Sequence, residues 1–232
     1  MLKEITTKAM QRRKRLIEGN VALIVVDIQG GSLEQLQNRK QAGLHTEGKL
    51  EMIQESKKLI EACRQAAIPV VWFQEFHRKN LVDFGRETDG TEGIHCLEDD
   101  PMNEVVKEVA PGEGEYIIRK TRYSCFLGTD LEFWLNGVNV LPGDTLIFCS
   151  GMTNVCVHYG AADAHQRDYH IRVVEECVAG SDRRAHEAAL EQIEYLQTGA
   201  RTKLADMLEA VSQYKAVRPQ KPGSFSRLNA AE

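Results

Sequence analysis

Three residues far apart in the chain make a chemically complete set: Asp27, Lys120 and Cys156. A thiol attacks a carbonyl carbon well once it has lost its proton, and a carboxylate beside it can take that proton and pass it on. An ammonium nearby, or the opening of a helix, stabilises the thiolate that forms. Each residue alone has an ordinary reading: an acid after a strand caps a helix, a lysine at a strand end is solvated, a cysteine in an apolar helix fills the core. Their shared position raises them above that. Asp27 closes the apolar run 21–26, Lys120 closes the run 115–120, and Cys156 follows the run 145–149 where a helix opens. Ligands of parallel sheets bind outside the carboxyl ends of the strands, where all three fall.

The elements that must position them follow from hydrophobic periodicity. Val21-Ala22-Leu23-Ile24-Val25-Val26 is unbroken and β-branched, the pattern of a strand buried on both faces. Residues 48–66 space Leu50, Ile53, Leu59, Ile60 and Cys63 as a helix does, and 68–74 is a second strand. The glycine- and proline-bearing stretch 75–113 reads as a long functional loop or lid. A strand over 115–120 precedes a helix over 129–138, with Thr129 or Asp130 as its cap. Strand 145–149, helix 153–167, strand 171–174 and a helix over 182–196 opened by Ser181 and Asp182 complete the series. Alternating strands and helices with apolar strands predict an α/β fold whose parallel sheet is covered on both faces. Residues 1–20 form a polar helix or arm, 1–216 a single domain, and 217–232 a polar tail with two prolines.

Composition narrows the functional classes. In 232 residues, 29 Lys and Arg stand against 34 Asp and Glu, a net charge of −5 that argues against a nucleic-acid reader. No stretch approaches the ~20 apolar residues of a membrane span, and the amino terminus lacks the apolar core of a signal peptide. Six cysteines, at 63, 96, 125, 149, 156 and 177, include no C-x-x-C pair and no disulfide framework. A cytoplasmic protein without a cofactor is expected. His158 and His165, on one helical face, read as interface or core histidines, and Phe133 and Trp134 as oligomer anchors or core.

The blocks ALIVVDIQ, IIRKTRYSCFLGTDLE and CSGMTNVCVHYGAADAHQRDYHIRVVEECVAGS, in this order within about residues 20–210, resemble the isochorismatase-like cysteine hydrolases. That resemblance implies a Rossmann-like three-layer αβα fold with a mostly parallel six-stranded sheet, a homo-oligomer (a tetramer), and a triad mapping onto Asp27, Lys120 and Cys156. It also implies a cis peptide at Gly151–Met152 and an oxyanion hole drawn from the backbone of Gly151, Met152, Val155 and Cys156. Nicotinamidases of the family carry a metal-binding Asp-x-His…His cluster after the second strand. Here QEFHRKNLVDFG keeps His77 without the rest, so no metal is expected. Cys156 argues against vinyl-ether hydrolysis, because isochorismatases lack that nucleophile. The departures resemble the biuret and triuret hydrolase branch, which implies amide hydrolysis of a small neutral ureide through a thioester. On that reading Gln197 contacts substrate, since its amide both donates and accepts, and Arg122, Tyr123, Phe126, Glu75 and Gln29 wall the pocket. The alternative is a carboxylate-bearing amide such as ureidoacrylate, maleamate or N-carbamoylsarcosine. That alternative requires a free cation near Gln197, for instance Arg122 or Arg78. Readings outside catalysis are a binding protein that keeps the fold and a thiol redox sensor, which needs a resolving cysteine near Cys156.

Overall fold

The apolar runs become strands of one sheet in the computed structural model, which describes residues 15–41, 47–90 and 92–219. Its strands are β1 (Val21–Val26), β2 (Val70–Glu75), β3 (Tyr116–Lys120), β4 (Thr145–Gly151), β5 (His170–Ala179) and β6 (Arg201–Thr202). They lie in the order β3-β2-β1-β4-β5-β6, and every pairing is parallel.

The absence of polar alternation in β1 has a direct cause. Ala22, Ile24 and Val26 enter a core shared with α3 (Leu131–Gly137), α4 (His158–Gln166) and α5 (Arg183–Leu196). Val21, Leu23 and Val25 enter a second core shared with α1 (Leu33–Gln41), α2 (Lys49–Gln65) and α6 (Leu204–Ser212). β4 divides the same way, Leu146 and Phe148 to the first core, Ile147 and Cys149 to the second. A strand with a core on each face must be apolar at every position.

The chain builds outward from β1 to β2 and β3, then returns to lay β4 on the other side of β1. That reversal opens a crevice beyond the carboxyl ends of β1 and β4, where a doubly wound sheet binds its ligand. The expected α/β layering is therefore present, with the sheet wholly rather than mostly parallel.

Some boundaries differ from the pattern reading. β5 continues to Ala179, past a shift in its pairing with β4 between Phe148 and Ser150. Glu175 and Glu176 had hidden this extension. Glu175 pairs with Arg201 at 2.8 Å and Lys203 at 2.8 Å, and Glu176 accepts the Leu204 N–H at 2.8 Å. The helix expected over 153–167 opens as a π-helical turn, Thr153–Val157, before α4. Asp182 caps α5 by accepting the Ala185 N–H at 2.9 Å. At α3 it is Thr129 that accepts the Leu131 N–H, at 3.4 Å, while Asp130 accepts the Tyr116 hydroxyl at 2.6 Å.

Most of the expected amino-terminal arm, and the tail beyond 219, lie outside the described residues. The first tail residues are fastened: the Val217 and Arg218 N–H groups donate to Asn20 Oδ1 at 3.0 and 3.1 Å, and the Arg218 guanidinium meets Asp144. No helix among the described residues is long and apolar enough to cross a membrane.

Phe148 is fully buried whereas Phe133 is 84% exposed, and Trp134 packs partly against the core. Phe148→Ala is expected to cost about 3–5 kcal/mol in urea unfolding, and Phe133→Ala within about 0.5 kcal/mol. Equal costs would show that the two-layer assignment is wrong.

Candidate active site

Each candidate residue leaves the sheet at its carboxyl edge. Asp27 follows β1 with a left-handed backbone, φ 50°, a conformation Asp adopts more readily than most side chains. Its N–H still bonds the Phe73 carbonyl at 3.1 Å. Lys120 ends β3, and its carbonyl accepts the Phe76 N–H at 3.0 Å, which locks the ends of β2 and β3 together. Cys156 sits in the π-helical turn after β4. Two ties hold that turn to the opening of α5: Asn154 Oδ1 accepts the Ser181 N–H at 2.8 Å, and Thr153 Oγ1 lies 2.9 Å from His186 Nδ1. Gly180 permits the approach, because a Cβ there would stand 2.7 Å from His186 Cβ.

The structure brings the three together. Lys120 Nζ lies 2.8 Å from Asp27 Oδ2, 3.3 Å from Cys156 Sγ and 3.3 Å from Glu75 Oε2. Glu75 is thus more than a pocket wall. Its Oε2 is also 3.7 Å from Cys156 Sγ, making it a fourth member of the cluster. Lys120 is the closest charged partner of Asp27, whose carboxylate is otherwise buried.

The electrostatics follow from burial. Removal from water raises the Asp27 pKa against the pull of Lys120, with Glu75 adding to the rise. Burial opposes the Lys120 charge, yet Asp27, Cys156 and Glu75 together hold the ammonium well above its ordinary pKa. Burial is also the largest influence on Cys156, and with the Asp27 charge it pushes the thiol well up despite Lys120. Burial thus favours the neutral thiol while Lys120 favours the thiolate, and burial strengthens Asp27 as a base. Glu75 is held low although burial opposes this, because His77 and His95 hydrogen-bond to it and Lys120 attracts it.

A cavity of ≈ 380 Å³ opens on this cluster. Gly151, Met152, Val155, Cys156, Tyr123 and Gln29 all line it, as expected. The Gly151–Met152 peptide is cis, matching the resemblance. The Val155 N–H, however, is taken by the Met152 carbonyl at 3.1 Å, which removes it from the expected oxyanion donors. Gln29 plays a framing part: its Oε1 accepts the Glu75 N–H at 3.1 Å, and its Nε2 donates to the Glu75 carbonyl at 3.0 Å and the Asn103 carbonyl at 2.8 Å.

Three expected substrate contacts are corrected. The Gln197 carbonyl accepts from the Ile171 N–H at 2.8 Å and from Arg172 at 2.9 Å, at the amino end of β5 and away from the cavity. The Arg122 guanidinium donates to the Asp83 carbonyl at 2.7 Å, bracing the loop, and Phe126 is core, packed beneath Arg167. Neither Arg122 nor Arg78 lines the cavity.

The loop 75–113 brings in residues that spacing did not single out. His95 Nε2 lies 2.8 Å from Glu75 Oε1 and 3.8 Å from Glu87 Oε2, and His77 Nε2 lies 3.4 and 3.7 Å from the same two oxygens. The His95 pKa rises to about 9, chiefly through its bond to Glu75. Both Glu87 oxygens and His77 Nδ1 are buried without a hydrogen-bond partner. Ligand atoms around a tetrahedral divalent ion, each about 2.0–2.2 Å from it, stand roughly 3.3–3.6 Å apart. Glu75, His77 and Glu87 each present a ligand atom within 4.8 Å of the others, and the orphaned Glu87 oxygens are what a cation would satisfy. The expectation of no metal rested on a cluster reduced to His77, and the fold sets Glu75 and Glu87 beside that residue.

The isochorismatase domain model matches residues 21–206. The chain belongs to the isochorismatase family. A ureidoacrylate amidohydrolase of Enterobacter sp. (strain 638) is 30% identical over 209 residues, covering 82% of this chain and 89% of that protein. A cysteine hydrolase of Pseudomonas syringae pv. phaseolicola superposes with a TM-score of 0.72 at 26% identity, covering 83% of this chain and 92% of its own. A pyrazinamidase of Pyrococcus horikoshii, solved in complex with zinc, gives a TM-score of 0.65 at 27% identity over 79% of this chain and 99% of its own. Within this family, similarity to named amidohydrolases makes the chain an isochorismatase-like amidohydrolase.

Calorimetric titration of the chelator-treated protein with zinc is expected to show one ion bound per chain. His77→Ala and Glu87→Gln should each weaken binding by about 10-fold or more. Equal uptake by wild type and both variants would place the metal elsewhere.

Proposed function

We propose that this chain is a cysteine-dependent amidohydrolase that releases ammonia from a small, carboxylate-bearing ureide or amide through a thioester. The observation that carries the chemistry is Lys120 Nζ held 2.8 Å from Asp27 and 3.3 Å from Cys156 Sγ. Asp27, buried and with its pKa raised by burial, takes the thiol proton as Sγ attacks the carbonyl carbon. Lys120 offsets the negative charge that passes from carboxylate to sulfur. The Cys156 N–H, at the opening of a helix, stabilises the oxyanion. The C–N bond then breaks, and the Asp27 proton leaves on ammonia. Asp27 next deprotonates a water that attacks the thioester, and the product acid departs as Cys156 recovers its proton. A cation held by Glu75, His77 and Glu87 would supply positive charge beside the substrate carbonyl.

Support for the carboxylate-bearing class comes from the relatives named ureidoacrylate amidohydrolases. The neutral biuret or triuret reading drew on Gln197, whose carbonyl is engaged at the far end of the sheet. A redox-sensor reading finds less support, because the hydrogen-bond partners of Cys156 are Lys120 and Glu75 and not a second thiol.

Ammonia release from ureidoacrylate, maleamate, N-carbamoylsarcosine, biuret and triuret is the deciding measurement. The carboxylates are expected to be preferred by about 100-fold or more in kcat/KM, and a preference for biuret would overturn the substrate class. Cys156→Ser should lose more than about 10³-fold in kcat while still binding substrate, and near-normal turnover would remove the thioester route.

A further inference from the structure

The cavity is electrically uneven. At the Cys156 end, the Asp27 and Glu75 charges face Lys120 and His95 at ion-pair distance. The wall also takes in the start of α2 and α1, with Lys49 and Glu51 from the first and Arg39 and Lys40 from the second. Lys49 has no carboxylate within 4.0 Å among the described residues, whereas its neighbour on that wall, Lys40, is paired with Glu51 at 3.4 Å. Burial and the nearby positive charge of Arg39 both work against the Lys49 ammonium, with Cys96 and Asp27 acting in its favour. Two cations set close together on a partly desolvated wall repel, and an anion between them would relieve that repulsion. The backbone adds to the same field. Gly48, φ 77°, caps the 17-residue α2 without a side-chain hydrogen bond, so the positive end of the helix dipole adds to the field at this wall.

A substrate reaching from Cys156 to this wall would carry a neutral amide at one end and meet positive charge at the other. We propose that Lys49 is the specificity-determining receptor for the substrate carboxylate, assisted by Arg39 and the uncapped start of α2. This inference rests on the amidohydrolase reading and sharpens it: the preferred ligand is a short ureide or amide whose carboxylate lies opposite its scissile carbonyl. Lys49 touches no reacting atom, so its loss acts on binding and leaves the thiol chemistry in place.

The test uses the full chain carrying Lys49→Met or Lys49→Arg. Steady-state constants are measured for ureidoacrylate and maleamate, and for their neutral counterparts ureidoacrylamide and maleamide. Wild type is expected to favour the carboxylates. Lys49→Met should raise KM for them roughly 10–100-fold, the loss typical of a charged hydrogen-bond partner, with kcat within about 3-fold. Constants for the neutral amides should not move, and Lys49→Arg should restore most of the lost affinity. Thermal unfolding unchanged in both variants removes misfolding as the cause. If wild type prefers the carboxylates and Lys49→Met keeps that preference, the assignment of Lys49 falls while the amidohydrolase reading stands. If wild type hydrolyses only the neutral amides, the substrate class falls and the role of Lys49 with it. If none of the four amides releases ammonia and calorimetry with Cys156→Ser shows no Lys49-dependent binding of ureidoacrylate, both readings are overturned.

Discussion

The ammonium of Lys120 is fully enclosed, and an isolated charge in that position would destabilise the fold by several kcal/mol. It is tolerated because Asp27 stands at 2.8 Å and Glu75 at 3.3 Å, delivered by the ends of β1 and β2. The constraint works in both directions. Without Lys120 the two carboxylates would repel each other in a poorly solvated space. Without the carboxylates the lysine could not remain charged where it sits. The ends of β1, β2 and β3 therefore have to converge, and the register Glu75↔Lys120 brings two of these side chains onto adjacent strands. Cys156 joins from the far side of the reversal in strand order, which makes the thiol, its base and its counter-charge neighbours in space.

Around that centre the fold divides its work. The doubly buried strands provide a scaffold whose apolar faces have no freedom to slip register, since moving one residue would exchange the two cores. The loop between β2 and β3 is stitched down by polar side chains instead. Gln29 and Gln74 both donate to the Asn103 carbonyl, and the Asn103 amide donates to the carbonyls of Cys96 and Leu97. This stitching carries His95 back over Glu75, some twenty residues further along the chain. The cavity is thus built from two kinds of material: rigid strand ends that hold the reacting groups, and a pinned loop with the first helices that shape the space in front of them.

The pKa directions agree with this division. Asp27 is raised and Glu75 lowered, although both face the same ammonium. Burial dominates at Asp27, while two histidines and the lysine overcome it at Glu75. One carboxylate is left as a base, and the other stays a fixed negative charge. Paired acids whose environments drive them apart in this way take different parts in proton transfer.

What the chain determined by itself is the part that depends on local pattern. Unbroken apolar runs dictate strands buried on both faces, and Asp27, Lys120 and Cys156 are legible because each sits where such a run ends or a helix begins. The tertiary structure decided everything that depends on long-range convergence. Glu87 and His95 lie in irregular chain, where no period marks a side chain as inward, and only the stitched loop turns them toward Glu75. Lys49 reads as an ordinary charge at a helix start until the cavity is seen to end on it. Gln197 shows the converse: it belongs to a suggestive motif, but α5 ends at the amino edge of β5, and its amide is drawn to the Ile171 N–H there. Sequence period specifies which residues face a core, because burial is a local average over one element. Which polar residues share a pocket is set by how separate elements pack, and that is a property of the folded chain alone.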